Sequence, residues 1–225
     1  MDVPALLLAI AILLATCLSC FSNIPPNPNP TGPKAKDRAS IVTSGLVLYP
    51  WLATATSVGV YHSYLVVFPP TTSTVFCPQP ERLNRSLFTW NLYTILCLVC
   101  ILIFASLRLF SFANLGPNFT YRIAPPKKLI TTGMYHYVQH PSYTAVIGVL
   151  VAHGSLLYRP DGIAACWLGN VWAERYIWMI LGGGLIVVVG VLFRIQDEEQ
   201  MLRESFGKEW EAWHARTARF IPGVF

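Results

Sequence analysis

The stretch that decides the fold runs from Leu87 to Leu107 and reads LFTWNLYTILCLVCILIFASL. It contains no charged residue, and Arg85 and Arg108 bound it on either side. A helix needs about 20 mostly apolar residues to cross the hydrocarbon core of a bilayer. The stretch therefore predicts a transmembrane helix.

Four further apolar runs of this kind are spread along the chain. They lie at Val3 to Phe21, within Ile41 to Phe68, at Tyr143 to Leu157, which is the shortest, and at Tyr176 to Phe193. The first run has no positive charge before it, so we expect it to be a span and not a cleaved signal peptide. Together the runs predict an all-α polytopic membrane protein with about five transmembrane helices and a C-terminal cytoplasmic helical tail.

The composition agrees with this class of protein. Hydrophobic residues make up 54% of the 225 residues and charged residues only 12%, with a net charge of +5. Soluble domains carry about 25% charged residues, so the charge here is too low for a soluble globular protein, and the hydrophobicity is too high for disorder. No basic run is long enough for a nucleic-acid-binding face.

The distribution of lysine and arginine predicts the orientation, because cytoplasmic loops are enriched in both. The loops after the first and third runs and the tail after the fifth hold most of them: Lys34, Lys36, Arg38, Arg122, Lys127, Lys128, Arg194, Arg203, Lys208, Arg216 and Arg219. The alternate loops hold fewer: Arg82, Arg85, Arg159 and Arg175. We therefore expect the N-terminus outside and the C-terminus in the cytoplasm.

The cysteines predict neither a metal site nor a disulfide framework. Cys17, Cys20, Cys97 and Cys100 lie inside apolar runs, and Cys166 lies close to one. Free cysteines in such surroundings behave as small hydrophobic residues, so we expect core thiols.

The first polar segment runs from Lys127 to Tyr143 and reads KKLITTGMYHYVQHPSY. Pro141 suits the first turn of the helix that follows, which puts His140 and Ser142 at a helix N-terminus. Backbone N–H groups at that end bind anions, and tyrosine rings bind cations. Tyrosine and histidine are also common at membrane interfaces, so the spacing alone leaves both interpretations open.

The second polar segment runs from Arg194 to Trp210 and reads RIQDEEQMLRESFGKEW. Arg194 and Glu198 are four residues apart and share a helix face. We expect Gly207 to end that helix, and a second short helix to place Trp210 and Trp213 in the membrane interface. A positively charged flank of a span followed by a solvated acidic turn would also explain this segment.

The two segments together resemble the isoprenylcysteine carboxyl methyltransferase family. The resemblance rests on Gly133-x-Tyr135-x4-His140-Pro141-Ser142-Tyr143, a hydrophobic hairpin, and Arg194-x3-Glu198-Glu199-x2-Leu202-x3-Phe206-Gly207-x2-Trp210. Members of this family are integral membrane enzymes that use S-adenosylmethionine. The resemblance implies one membrane domain over residues 1–225, with N-terminal spans in 1–112 and the cofactor-binding and catalytic portion in 113–225.

The resemblance also implies roles for particular residues. The cofactor site would comprise Lys127, Lys128, Leu129, Ile130, Tyr135, His140, Pro141, Ser142, Tyr143 and Glu198. Arg194 would be the catalytic residue and would bind the substrate carboxylate. The pattern departs from the family at Gln139, where an arginine is usual, and at Lys127, where a histidine is expected. No metal is implied.

The implied reaction is methyl transfer from S-adenosylmethionine to the C-terminal carboxylate of S-prenylcysteine proteins, which gives a methyl ester. The partners would be prenylated protein C-termini and the lipid bilayer, without nucleic acid, and the membrane would be that of the endoplasmic reticulum. The sequence leaves three alternatives open: a membrane phospholipid (amine) methyltransferase, an NADPH-dependent sterol reductase, and a non-catalytic membrane scaffold.

Overall fold

The structure is a computed structural model that describes residues 2–29 and 35–223. Lys34, one of the residues used for the orientation, lies outside these ranges. Six α-helices account for most of the described chain: α1 Val3–Ser22, α2 Gly45–Val67, α3 Leu92–Leu115, α4 Pro141–Leu157, α5 Asn170–Phe206 and α6 Lys208–His214. The prediction of an all-α fold is confirmed.

Each of the five predicted spans overlaps one of the helices α1 to α5. By length and hydropathy, three segments of the described residues qualify as membrane-spanning helices, namely Val3–Ser22, Leu92–Asn118 and Trp172–Phe206. Helix α4 is apolar but has only 17 residues. A count of about five spans therefore stays a prediction.

Helix α3 begins at Leu92, later than the apolar run suggested. The preceding Arg85–Phe88 segment forms a 3₁₀ helix. Asn91 and Thr94 then cap α3 reciprocally: the Thr94 N–H donates to Asn91 Oδ1 at 3.0 Å, and the Asn91 N–H donates to Thr94 Oγ1 at 3.1 Å. Such a cap satisfies backbone donors that a helix start leaves open, and it explains the later beginning.

The chain forms two compact units. The first unit comprises Met1–Phe21, Pro50–Ile103 and Gly148–Leu185, and the second comprises Ser22–Tyr49, Phe104–Ile147 and Ile186–Phe225. Each unit draws on both sides of residue 112, so the functional division into 1–112 and 113–225 stays a prediction.

The first unit is built around an apolar core and one disulfide. Leu8, Ile12, Ile101 and Leu156 are fully buried in the same cluster. Cys166 is bonded to Cys77, so the expectation of a free thiol at Cys166 is wrong. Both cysteines lie outside the apolar runs, in the segments that connect the α-helices, and the sequence does not show which of these segments are neighbours.

The free thiols also differ from the prediction in their burial. Cys97 is buried, Cys20 and Cys100 are partly buried, and Cys17 is exposed. The expectation of a core thiol is therefore wrong for Cys17, because α1 turns that side chain away from the core of the first unit.

In the second unit, α5 ends at Phe206 and Gly207 follows with a φ of +49°. A backbone angle in the left-handed region favours glycine, so the helix ends where the sequence predicted. Helix α6 follows directly, and its Trp210 and Trp213 are buried in a cluster with Leu129 and Tyr135. These tryptophans form a core of this unit, and their position in the membrane interface stays a prediction.

Candidate active site

One cavity of the second unit brings residues of both polar segments together. Nine of the predicted site residues line it: Leu129, Ile130, Tyr135, His140, Pro141, Ser142, Tyr143, Arg194 and Glu198. Lys127 and Lys128 are exposed and lie outside this lining. Since the fold thus joins segments that are about 50 residues apart in sequence, the cavity is the candidate active site.

The first segment owes its path to a glycine and a proline. Gly133 has a φ of +63°, and a Cβ atom at this position would clash with the side-chain oxygen of Asn114. The Gly133–His136 segment forms a 3₁₀ helix that buries Tyr135, and Pro141 then begins α4. The turn thus places Tyr135 and the start of α4 on the same cavity.

Tyr135 is fixed from the side of α6. Its carbonyl oxygen accepts a hydrogen bond from the Trp213 indole N–H at 2.8 Å. Burial, and then the nearby Glu198 and Tyr143, raises the pKa of the Tyr135 hydroxyl far above its usual value. The phenol stays neutral at physiological pH, so it presents an uncharged ring to the cavity.

The chain after α6 pairs with the residues that lead into α4. The N–H groups of Gln139 and His140 donate to the carbonyl oxygens of Ala218 and Arg219, at 2.8 and 2.9 Å. The Gln139 side chain also donates to the carbonyl of Thr217 at 2.8 Å and accepts from His214 Nδ1 at 2.8 Å. Position 139, where an arginine is usual in the family, therefore holds a neutral amide that binds the C-terminal segment.

His140 is held by a hydrogen bond to Glu199, a residue outside the cavity lining. Its Nε2 lies 3.1 Å from Glu199 Oε1, and the other oxygen of Glu199 accepts from Arg219 at 2.9 Å. Because the backbone N–H of His140 is bonded to Arg219, it does not form part of the anion-binding helix terminus that the sequence suggested.

Glu198 and Tyr143 form a polar pair on the cavity wall. The Tyr143 hydroxyl donates to Glu198 Oε2 at 3.0 Å, and both residues line the cavity. The pair offers a carboxylate beside aromatic rings, a combination that attracts cations.

Arg194 also lines the cavity, but it has a partner that the sequence did not reveal. Its guanidinium bonds to the Asp37 carboxylate and donates to Thr43 Oγ1 at 3.1 Å and to the Tyr121 carbonyl at 2.6 Å. Arg194 Nε is buried without a hydrogen-bond partner in the described structure, and so is Asp37 Oδ1. The guanidinium therefore keeps a donor that a further acceptor could use.

A second ion pair joins α5 to the loop that contains Asp37. It is formed by the next residue of the loop, Arg38, and Asp197 of α5. The Arg38 backbone N–H and Nε donate to the two Asp197 oxygens at 2.8 and 2.9 Å. Adjacent residues of the loop thus bind two α5 residues three positions apart, Arg194 and Asp197. In the sequence the two pairs have opposite orders of charge, Asp37–Arg38 against Arg194–Asp197, but no local pattern marks them as partners.

A further arginine of the cavity, Arg108, was also missed. Arg108 lines the cavity and is buried. In the sequence it only marked the end of an apolar run, and nothing in its neighbours pointed to a site.

Among residues 2–29 and 35–223, no group of three or more His, Cys, Asp or Glu residues is placed to hold a metal ion.

Residues 95–176 match the model of the isoprenylcysteine carboxyl methyltransferase family. The family resemblance is confirmed. The matched range includes Tyr135 and the His140–Tyr143 run, and it ends before Arg194 and Glu198.

A curated relative carries the same name. The protein-S-isoprenylcysteine O-methyltransferase of Dictyostelium discoideum is 27% identical over 130 residues. The aligned region covers 56% of this chain and 48% of the relative, so the match spans about half the length of the relative. No solved structure gives a significant match to the chain.

Proposed function

We propose that this protein transfers a methyl group from S-adenosylmethionine to the C-terminal carboxylate of S-prenylcysteine. One observation carries the proposal: a single cavity gathers a carboxylate with aromatic rings and a buried arginine with a spare donor. The first arrangement suits a sulfonium cation and the second suits a carboxylate anion. The family match and the named relative support the same reaction.

The proposed donor site lies on the side of Tyr135, Tyr143 and Glu198. When bound, S-adenosylmethionine supplies a methyl group on a positively charged sulfur. The neutral tyrosine rings attract that charge through their faces, and the Glu198 carboxylate, fixed by the Tyr143 hydroxyl, attracts it directly. The proposed donor site also includes Leu129, Ile130, His140, Pro141 and Ser142, which line the same cavity.

The proposed acceptor site lies at Arg194. A carboxylate is ionised at neutral pH, so no residue has to remove a proton from it. The site only has to hold one oxygen of the acceptor carboxylate in line with the methyl group of the donor, so its task is orientation. The buried Nε of Arg194, which has no partner in the described structure, fits this task.

Asp37 reduces the strength with which Arg194 binds the substrate carboxylate. A guanidinium that bound the substrate carboxylate alone would draw electron density from the attacking oxygen. Because the Asp37 carboxylate already shares the Arg194 charge, the substrate is oriented while its oxygen stays nucleophilic. This pairing makes Asp37 a positioning residue of the proposed reaction.

The proposed topology puts the site at the cytoplasmic side of an endoplasmic reticulum membrane. The Cys77–Cys166 disulfide favours an oxidising compartment for the loop that contains Cys166, because disulfides persist there and not in the cytosol. Helix α5 begins shortly after this loop and is long and apolar enough to span the bilayer. A chain that crosses once at α5 has its C-terminus in the cytoplasm, where prenylated proteins and the donor are available.

The test is transfer of labelled methyl from S-adenosylmethionine to N-acetyl-S-farnesylcysteine, in membranes that contain the full chain. A base-labile methyl ester is the expected product. Arg194→Met should abolish it, while Arg203→Met, an exposed arginine of the same helix paired with Glu211, should keep it. If the label appears in phosphatidylethanolamine and not in a methyl ester, the acceptor is a lipid amine and not the prenylcysteine carboxylate. If the label appears in neither, the proposal is refuted.

A further inference from the structure

Arg108 is a buried cation whose hydrogen-bond partners in the described part of the chain are all uncharged. It is 7% exposed and lies within α3, inside the candidate span Leu92–Asn118. Its guanidinium donates to the Ser22 carbonyl at 2.7 Å and to both the carbonyl and the hydroxyl oxygen of Ser142 at 3.0 Å. A fourth bond, at 3.3 Å, goes to the Tyr121 hydroxyl. Every one of these partners is neutral.

The other buried arginine of the cavity differs on this point. Arg194 is 4% exposed and is paired with Asp37. Among residues 2–29 and 35–223, no carboxylate forms an ion pair with Arg108. Burying an uncompensated charge is costly, and an ionisable residue inside a span is a candidate functional residue.

The partners of Arg108 include a residue at the N-terminus of a helix. Ser142 belongs to the first turn of α4, whose N-terminus carries the positive end of the helix dipole. A buried guanidinium and the positive end of a helix dipole thus lie at one wall of the cavity. Both would be stabilised by one bound anion.

We infer that Arg108 is a second carboxylate-binding residue of this cavity. The inference rests on the proposed function, which brings two carboxylates to one site. One belongs to the amino-acid part of the methyl donor, and the other is the C-terminal carboxylate of the acceptor. Arg194 serves one carboxylate and Arg108 the other. Because Arg108 contacts Ser142, which belongs to the proposed donor segment, the carboxylate of the donor is the one assigned to it.

The assignment is tested by binding, without turnover. Two ligand pairs differ by the carboxylate alone: S-adenosylhomocysteine against its decarboxylated analogue, and N-acetyl-S-farnesylcysteine against its C-terminal amide. Dissociation constants are measured for the full chain in lipid nanodiscs. Charge-assisted hydrogen bonds predict that the wild type prefers S-adenosylhomocysteine over its analogue by about tenfold or more.

The variants are Arg108→Met, which keeps the apolar stem without the charge, and Arg108→Lys, which keeps the charge. Arg159→Met is the matched control, since Arg159 is paired with Asp161 in the first unit. In Arg108→Met the preference for the donor carboxylate should fall to about threefold or less. It should remain above that level in Arg108→Lys and be unchanged in Arg159→Met.

Each outcome decides the inference. Loss of the acceptor preference in Arg108→Met, with the donor preference intact, keeps the carboxylate site and assigns it to the acceptor. Unchanged preferences for both pairs overturn the inference. If Arg108→Met does not fold, a wild type that fails to distinguish the members of either pair overturns it equally. A wild type that binds none of the four ligands refutes the proposed function itself, which is a different result.

Discussion

The two units of this protein differ in what stabilises them. The first unit has an apolar core, and a disulfide joins Cys77 to Cys166. The second unit contains buried or half-buried ion pairs, with Arg194 on Asp37 and Arg38 on Asp197. Buried ion pairs contribute little net stability, because the loss of hydration offsets the attraction. Both units have an apolar core, but the first adds a covalent link and the second adds buried charges around the candidate active site.

Removing Arg194 should have the largest effect. Arg194→Met should lower methyl transfer by about 100-fold or more and destabilise the second unit, because Asp37 is left buried and unpaired. In the double variant Arg194→Met/Asp37→Asn, thermal stability should return but activity should not. A double variant with restored activity would show that Arg194 only neutralises Asp37.

Breaking the disulfide should affect stability and leave the chemistry intact. Cys77→Ser with Cys166→Ser should cost about 2–4 kcal/mol of stability, measured as thermal or denaturant unfolding in lipid nanodiscs. The KM values for donor and acceptor should not change. Cys97→Ser, at a buried free thiol, is the control. A raised KM in the disulfide variant would contradict the division of roles between the units.

Removing the charge of Glu198 should weaken donor binding. Glu198→Gln keeps a hydrogen-bond acceptor for the Tyr143 hydroxyl but loses the attraction to the sulfonium. We expect the KM for S-adenosylmethionine to rise by about tenfold, with the KM for the acceptor unchanged. Glu204→Gln, an exposed residue of the same helix, should change neither value. Equal effects on both substrates would place Glu198 between the two sites.

Removing the charge of Asp37 should change substrate binding less than Glu198→Gln does. It should tighten binding of the acceptor instead of weakening it. Asp37→Asn leaves Arg194 with its full positive charge, so the acceptor should bind about threefold more tightly and react more slowly. A split between a lower KM and a lower kcat is the diagnostic readout. If both kcat and KM are unchanged, Asp37 does not share the charge in the reacting complex.

The two exposed lysines should matter least. Lys127→Ala and Lys128→Ala should each change kcat/KM by about twofold or less, since exposed charges are screened by solvent. The family resemblance assigned both to the cofactor site, and the cavity lining does not include them. A loss of tenfold or more in either variant would restore the assignment.

Local patterns in the sequence predicted much of this molecule. Apolar runs predicted the helices, and the family resemblance carried by Tyr135 to Tyr143 and by Arg194 and Glu198 implied residues that meet in one cavity. What could not be predicted depends on contacts between distant segments. Asp37 is 157 residues from Arg194, and Cys77 is 89 residues from Cys166. The role of Arg108 also depends on distant contacts, because it is inferred from the neutral groups that surround this residue in the fold.

The most direct test of the proposed site is an experimental structure of the full chain in lipid nanodiscs with S-adenosylhomocysteine bound. We predict the ligand in the cavity of the second unit, with its sulfur beside Tyr135, Tyr143 and Glu198 and its carboxylate at Arg108. A ligand bound elsewhere, with this cavity unchanged, would contradict the assignment of the donor site.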